Sequence, residues 1–157
     1  MSAGPPPVDR DLGKLAPKFA AAVRTAIEQC NANGMDAFVY EAMRSDELQK
    51  FYYSKGRTLI PPEDTVTNAS SNRTSWHGFG LAVDVISKSK EWAVTPEWQK
   101  AVADIFLANQ CKWGGNFSKP DYPHFQWGRC KASPSALARQ IMDAEGLEAV
   151  WKAVGAI

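Results

Sequence analysis

Histidine is nearly missing from this chain: only His77 and His124 occur in 157 residues. Any chemistry that needs an imidazole must run through those two. Cysteine is scarce as well. Cys30, Cys111 and Cys130 are odd in number, widely separated and without a C-x-x-C pair, which excludes a disulfide framework and a thiolate zinc site. Buried free thiols are expected, with a Cys111–Cys130 bridge as the alternative. Net charge is lacking too: 18 Lys and Arg against 17 Asp and Glu give a formal charge of +1, too weak a field to hold a phosphate backbone or an anionic membrane. No nucleic-acid partner is expected. Nowhere does the chain approach the ~18 consecutive apolar residues of a membrane span. The N-terminal MSAGPPPVDRDLGKLAP has no apolar run behind a basic region, so neither a signal peptide nor an integral membrane segment is expected. Internal repeats are absent.

What is present describes a globular chain: 45% hydrophobic and 11% aromatic residues, at a length where roughly 68–70% of the unfolded surface is buried. Residues 1–11 read as a flexible tail with a stiff Pro5–Pro7, and 12–157 as a single domain. Leu15, Phe19, Val23, Ile27 and Cys30 recur at helical spacing, stopped at Asn33-Gly34. Ala37–Tyr40 reads as a strand, followed by a helix with Ser45 as N-cap that ends near Gly56. The segment from Arg57 to Ser75 is rich in Thr, Asn, Ser and Pro and longer than a usual connection, which points to a functional loop. Gly80–Ile86 is the clearest strand: Leu81, Val83 and Val85 share one face, while Gly80, Ala82 and Asp84 share the other. Thr95-Pro96-Glu97 opens a helix to about Asn109. Cys111–Trp113 and His124–Trp127 are short strands. Ser133-Pro134 caps a helix running toward Gly146, and Leu147, Val150, Trp151 and Val154 form a last helical stripe.

Each histidine has a carboxylate nearby in sequence. Ser75-Trp-His77-Gly-Phe-Gly-Leu-Ala-Val-Asp84 surrounds the first and Asp121-Tyr-Pro-His124 the second. A hydrolytic zinc site needs three N/O ligands, an open fourth position and a separate carboxylate for proton transfer. His77, Asp84 and His124 can supply the ligands and Asp121 the base. The bland alternative is a pair of hydrogen-bonded structural histidines and turn-forming aspartates. Asp121 and His124 have opposite parity on a straight strand, so the zinc reading requires a bend, which Pro123 permits.

The stretch from Ser75 to Asp84 resembles the S-x-H-x-x-G-x-A-x-D signature of the zinc peptidases that include D-alanyl-D-alanine carboxypeptidases, D-Ala-D-Ala dipeptidases and phage L-alanyl-D-glutamate endopeptidases. Asp121-x-x-His124 is similar to their second motif. Tyr40-Glu-Ala-Met-Arg44-Ser, Gly56-Arg57-Thr58, Trp113-Gly-Gly115 and Pro123-His-Phe-Gln126 resemble further segments, the last two of the endolysin branch. The resemblance implies an α+β fold, a small antiparallel sheet carrying the zinc site with helices packed against it. It also implies that His77, Asp84 and His124 bind Zn2+, that Asp121 is general base and then acid, and that Arg44 binds a substrate carbonyl or carboxylate and stabilises the oxyanion. Ser75 matches a position lining the substrate site, or else bonds its own turn. Gln49 and Arg57 rank below Arg44 as residues facing the cleft.

The function implied is a monomeric zinc peptidase acting on bacterial peptidoglycan stem peptides, foremost an endolysin cutting between L-Ala and D-Glu. Such a lysin is made in the host cytoplasm and released to the wall by a separate pore. A D,D-carboxypeptidase or dipeptidase is the alternative within the enzyme class. A non-catalytic zinc-containing binding module, like the related hedgehog signalling domain, is the alternative outside it, and the presence of Asp121 and Arg44 weighs against that.

Overall fold

Proline at the first turn and an apolar stripe make α1 (Pro17–Ala32) a core helix, with Phe19, Val23, Ala26 and Cys30 buried. The computed structural model describes residues 5–55, 57, 65–67 and 69–157. Gly56 and Thr58, parts of the expected turn after the second helix, lie outside the described residues, as do 59–64 and 68 of the expected loop. Strand β1 (Ala37–Glu41) follows α1. The helix α2 (Asp46–Ser54) begins where the Ser45 hydroxyl accepts from the Leu48 amide, and Asp46 and Glu47 lie in its first turn, where carboxylates complement the helix dipole.

The sheet has four strands in the order β1-β2-β4-β3, with β2 at Ala82–Ser87, β3 at Cys111–Trp113 and β4 at His124–Trp127. Every neighbouring pair is antiparallel. Gly80 and Leu81, expected inside the strand, precede it: Gly80 has φ 68° and closes a 3-10 turn over Trp76–Phe79. That left-handed backbone is one which glycine adopts at little cost. β1 carries a bulge between Val39 and Glu41, after which Glu41 pairs with Asp84.

Helix α3 (Pro96–Ala108) is capped by Thr95, whose hydroxyl accepts from the Trp98 amide. It covers the core face of the sheet, where Phe106 stacks on Phe125 with ring centroids 4.1 Å apart. The expected Ser133-Pro134 cap shifts two residues: Ser135 caps α4 (Ala136–Glu145), and α5 (Leu147–Ala153) follows. Three indole N–H donors join this C-terminal region to the body, Trp76 to Lys131 O, Trp127 to Val154 O and Trp151 to Phe79 O, at 2.6–2.7 Å. From the N-terminal side, the Ala42 amide donates to Asp9 O and the Arg10 guanidinium to Tyr40 O. All three cysteines are buried free thiols, so the alternative Cys111–Cys130 bridge is not formed.

Candidate metal centre and active site

Directly opposed residues on an antiparallel pair share a face, with Cβ atoms about 4.5–5.5 Å apart. The register sets Asp84 opposite His124 on one side and opposite Glu41 on the other. One face of the sheet therefore gathers two carboxylates and an imidazole. His77 comes to them from the 3-10 turn before β2, which the Ser75 hydroxyl caps by accepting from the His77 amide at 3.3 Å. The bend expected at Pro123 is present: the chain turns at Asp121, whose carbonyl accepts from the His124 amide, and Pro123 O accepts from Val85 N. Gly114 permits this turn, because a Cβ there would stand 2.3 Å from Asp121 O and 2.9 Å from the His124 Cβ.

Ligand atoms of His77, Asp84 and His124 all lie within 4.8 Å of one another. His77 Nε2 is 3.3 Å and His124 Nδ1 3.8 Å from Asp84 Oδ1. The far nitrogen of each ring is held: His77 Nδ1 lies 3.1 Å from Ala42 O, and His124 Nε2 lies 2.8 Å from Gln126 Oε1. Gln126 in turn donates to Lys131 O at 2.6 Å, which orients its carbonyl oxygen toward the ring. Both acceptors require the far nitrogen to carry the proton, which leaves the lone pairs of His77 Nε2 and His124 Nδ1 directed at the carboxylate. Metal-binding imidazoles are held in this way. Burial, with repulsion from His77 next, lowers His124 to about 4, so its lone pair is free at neutral pH. Burial opposes ionisation of Asp84, yet His77, Arg44 and His124 together hold its carboxyl below the usual range. Two imidazoles and one carboxylate converging from one side fit a divalent ion that prefers tetrahedral N/O ligation with a position left open, as zinc does.

Asp121 stands at the rim. Its Oδ2 is 3.9 Å from His124 Nδ1 and its side chain is 57% exposed. Despite that exposure, protein crowding strips solvation from the carboxyl and, with Asp84 adding repulsion, raises it to about 6.

Arg44 is 7% exposed and firmly held. Its Nε donates to Glu41 Oε1, Nη1 donates to Gln49 Oε1 at 2.7 Å, and Nη2 reaches Asp84 Oδ2 at 3.4 Å. The Tyr52 ring lies 4.9 Å from the guanidinium carbon, and the Tyr52 hydroxyl donates to Glu41 Oε2 at 3.0 Å. A guanidinium has five N–H donors, so these three bonds leave two for a substrate. Gln49, expected to face the cleft, is fully buried and instead orients Arg44. Arg57 donates to the backbone at Tyr53 and Thr67.

Sequence reasoning missed Glu41, Tyr52 and Gln126 as supports. Gln126 had a signal, being two residues after His124 and thus on the same strand face. Glu41 had none, because only the bulged β1–β2 register brings it to the site.

The fold and the three-donor centre thus define an α+β domain whose antiparallel sheet carries a site suited to a divalent ion. A family model described as D-alanyl-D-alanine carboxypeptidase matches residues 68–127, the segment that carries both histidine motifs. The L-alanyl-D-glutamate peptidase of Listeria phage A118 is 28% identical over 123 residues, covering 74% of this chain and 39% of that protein. The chain thus spans about two fifths of that relative's length. Among solved structures, the L-Ala D-Glu endopeptidase ChiX of Serratia marcescens superposes with a TM-score of 0.56 at 23% identity, covering 74% of this chain and 82% of that one. A variant of the vancomycin-resistance D,D-pentapeptidase VanY in complex with Zn(II) gives 0.51 at 14%, covering 85% and 81%. The fold is the one these peptidases share, as the sequence resemblance implied.

Proposed function

We propose that this protein is a zinc-dependent peptidase of peptidoglycan stem peptides that cuts the bond between L-Ala and D-Glu, with His77, Asp84 and His124 as metal ligands. One observation carries the reading: three N/O donors converge beside an exposed carboxylate and a buried arginine with donors to spare. Zinc at these ligands supplies Lewis acidity toward water and a carbonyl oxygen. Asp121 accepts the proton of the attacking water as the new C–O bond forms, then returns it to the amide nitrogen as the C–N bond breaks. Arg44 directs its remaining N–H groups at the oxygen that gains negative charge, and its fixed position avoids reorganisation at that moment. Ser75 lines the approach to His77 while its hydroxyl caps the turn. The likeness to a phage peptidase supports synthesis in a host cytoplasm; we further propose release to the wall through a separate pore and action as a monomer.

A D,D-carboxypeptidase is the second reading, favoured by the description of the matching family. Digestion of purified peptidoglycan with mass spectrometry of the products separates the two. A new N-terminal D-Glu is expected, and free D-Ala means the second reading is right. Asp121→Ala should keep stoichiometric zinc and lose product formation by at least about 100-fold. Persistent cleavage by that variant means the base is misassigned.

A further inference from the structure

The site face does not end at the metal ligands. Ile86 lies two residues beyond Asp84 on the same face of β2, and the backbone pairing of Val85 with Pro123 brings Tyr122 alongside it. Trp92 is 51% exposed and Tyr122 47% exposed. Both border one shallow cleft at the end of the strand with Ile86 and Pro123, whose other wall is formed by Val85 and Phe125 of the core face and Trp98 and Val102 of α3. Exposed apolar surface gathered in one place and rimmed by polar residues marks a contact surface, whereas singly scattered exposed side chains do not.

The indole is fixed in place. Glu91 before it adopts φ 54°, a conformation a non-glycine residue takes at a cost, and a two-way backbone bridge between Ser87 and Glu91 holds that turn. Trp92 meets Tyr40 edge to face, centroids 4.9 Å apart at 71°. The Arg10 guanidinium lies 4.9 Å from the Tyr40 ring, which backs the contact. Tyr40 and Tyr122 are the chain neighbours of Glu41 and Asp121, so the aromatic ledge adjoins the site on both flanks.

We propose that this ledge is a saccharide subsite, in which Trp92 and Tyr122 receive the muramyl sugar that bears the stem peptide. The inference rests on the L-Ala/D-Glu reading and deepens it. In that substrate the L-Ala nitrogen is acylated by the lactyl group of the sugar, so the ring begins about two residue lengths, roughly 7 Å, from the scissile carbonyl. The ledge begins two strand residues from Asp84, also about 7 Å. A pyranose turns a face of C–H groups toward its partner, and the electron-rich face of an aromatic ring complements it. A carboxypeptidase cutting the far end of the stem has no sugar within that reach.

The test compares two substrates of the same peptide sequence, one carrying N-acetylmuramic acid on the L-Ala nitrogen and one carrying only an acetyl group. The wild type should prefer the muramyl substrate in kcat/KM. Trp92→Ala should shrink that ratio about three- to tenfold, and Trp92→Phe should restore most of it. Tyr122→Ala should shrink it in the same direction. A wild type without preference, or a ratio that Trp92→Ala leaves unaltered because both substrates suffer equally, overturns the subsite. A wild type that cleaves neither substrate overturns the L-Ala/D-Glu reading itself, and the subsite with it.

Discussion

Removing Glu41 tests whether the arginine at the site is held by a buried charge pair. Glu41 is 1% exposed, with one oxygen on Arg44 Nε and the other on the Tyr52 hydroxyl. Glu41→Ala leaves a guanidinium whose side chain is 9% exposed with Asp84 at 3.4 Å as its remaining anionic partner. Stripping one member from a buried pair costs about 3–5 kcal/mol, because the other charge stays desolvated. For a chain of this size each kcal/mol lowers Tm by about 2–4 °C, so a drop on the order of 10 °C is expected. Glu41→Gln separates charge from shape. Its amide oxygen can face Arg44 while its NH2 donates to the Tyr52 oxygen, so both bonds persist and only the charge assistance is lost, at about 1–2 kcal/mol.

The assay is equilibrium urea unfolding in chelator, so that metal binding to the native state does not contribute. The double variant Glu41→Ala with Arg44→Met removes both charges and should be less destabilised than the sum of the single variants by more than about 1 kcal/mol. A loss below about 1 kcal/mol for Glu41→Ala, or strict additivity in the cycle, would show that Glu41 does not hold Arg44 electrostatically.

Two further outcomes follow from other supports. Gln126→Leu frees His124 Nε2 from its acceptor and should weaken zinc binding about 10- to 100-fold in competition with a chromogenic chelator; unaltered affinity would mean the amide plays no part in orienting the ring. Asp36 accepts from Ser89 through both its hydroxyl and its amide and from the Ser87 hydroxyl, and these bonds lower its carboxyl to about 2. Because the folded value lies below the unfolded one, this stabilisation is present above pH ~4 and fades as pH falls from ~4 to ~2. The Tm gap between wild type and Asp36→Asn should therefore narrow between pH 5 and pH 2.5, and a constant gap would contradict the assignment.

The convergence of His77, Asp84 and His124 was legible because scarcity and periodicity acted together. With two histidines in the chain the imidazole donors were fixed by counting, and the alternation of β2 placed Asp84 opposite the apolar face. Pro123 signalled the bend that lets Asp121 and His124 meet. Local geometry was less legible. Gly80 belongs to a strand by pattern, but the chain needs its positive φ to close the His77 turn. Ser133 and Ser135 are both plausible caps, and only the structure selects the second. Supports that depend on long-range register escaped altogether. Glu41 reaches Arg44 over three residues but joins the site only through the bulge that pairs it with Asp84. Gln49 faces Arg44 because the segment around Thr67 and Ala69 covers it, its amide donating to Ala69 O at 2.8 Å.

The C-terminal helices, whose role the sequence left open between packing and substrate contact, acquire a specific one from these supports. Lys131, in the segment leading to α4, offers one carbonyl oxygen to two donors, the Gln126 amide and the Trp76 indole. Gln126 orients His124, and Trp76 precedes His77 in the same 3-10 turn. The Trp151 indole of α5 donates to Phe79 O at the other end of that turn. Both histidines are therefore steadied from the C-terminal side, one through an amide and one through its turn, while Asp84 is fixed by the sheet. A centre assembled from three separate stretches of chain needs such cross-bracing, since a displacement of 1 Å at either ring would break the convergence of the lone pairs. The hydrogen bonds to Lys131 and Phe79 assign the segment from Lys131 through α5 to the geometry of the site.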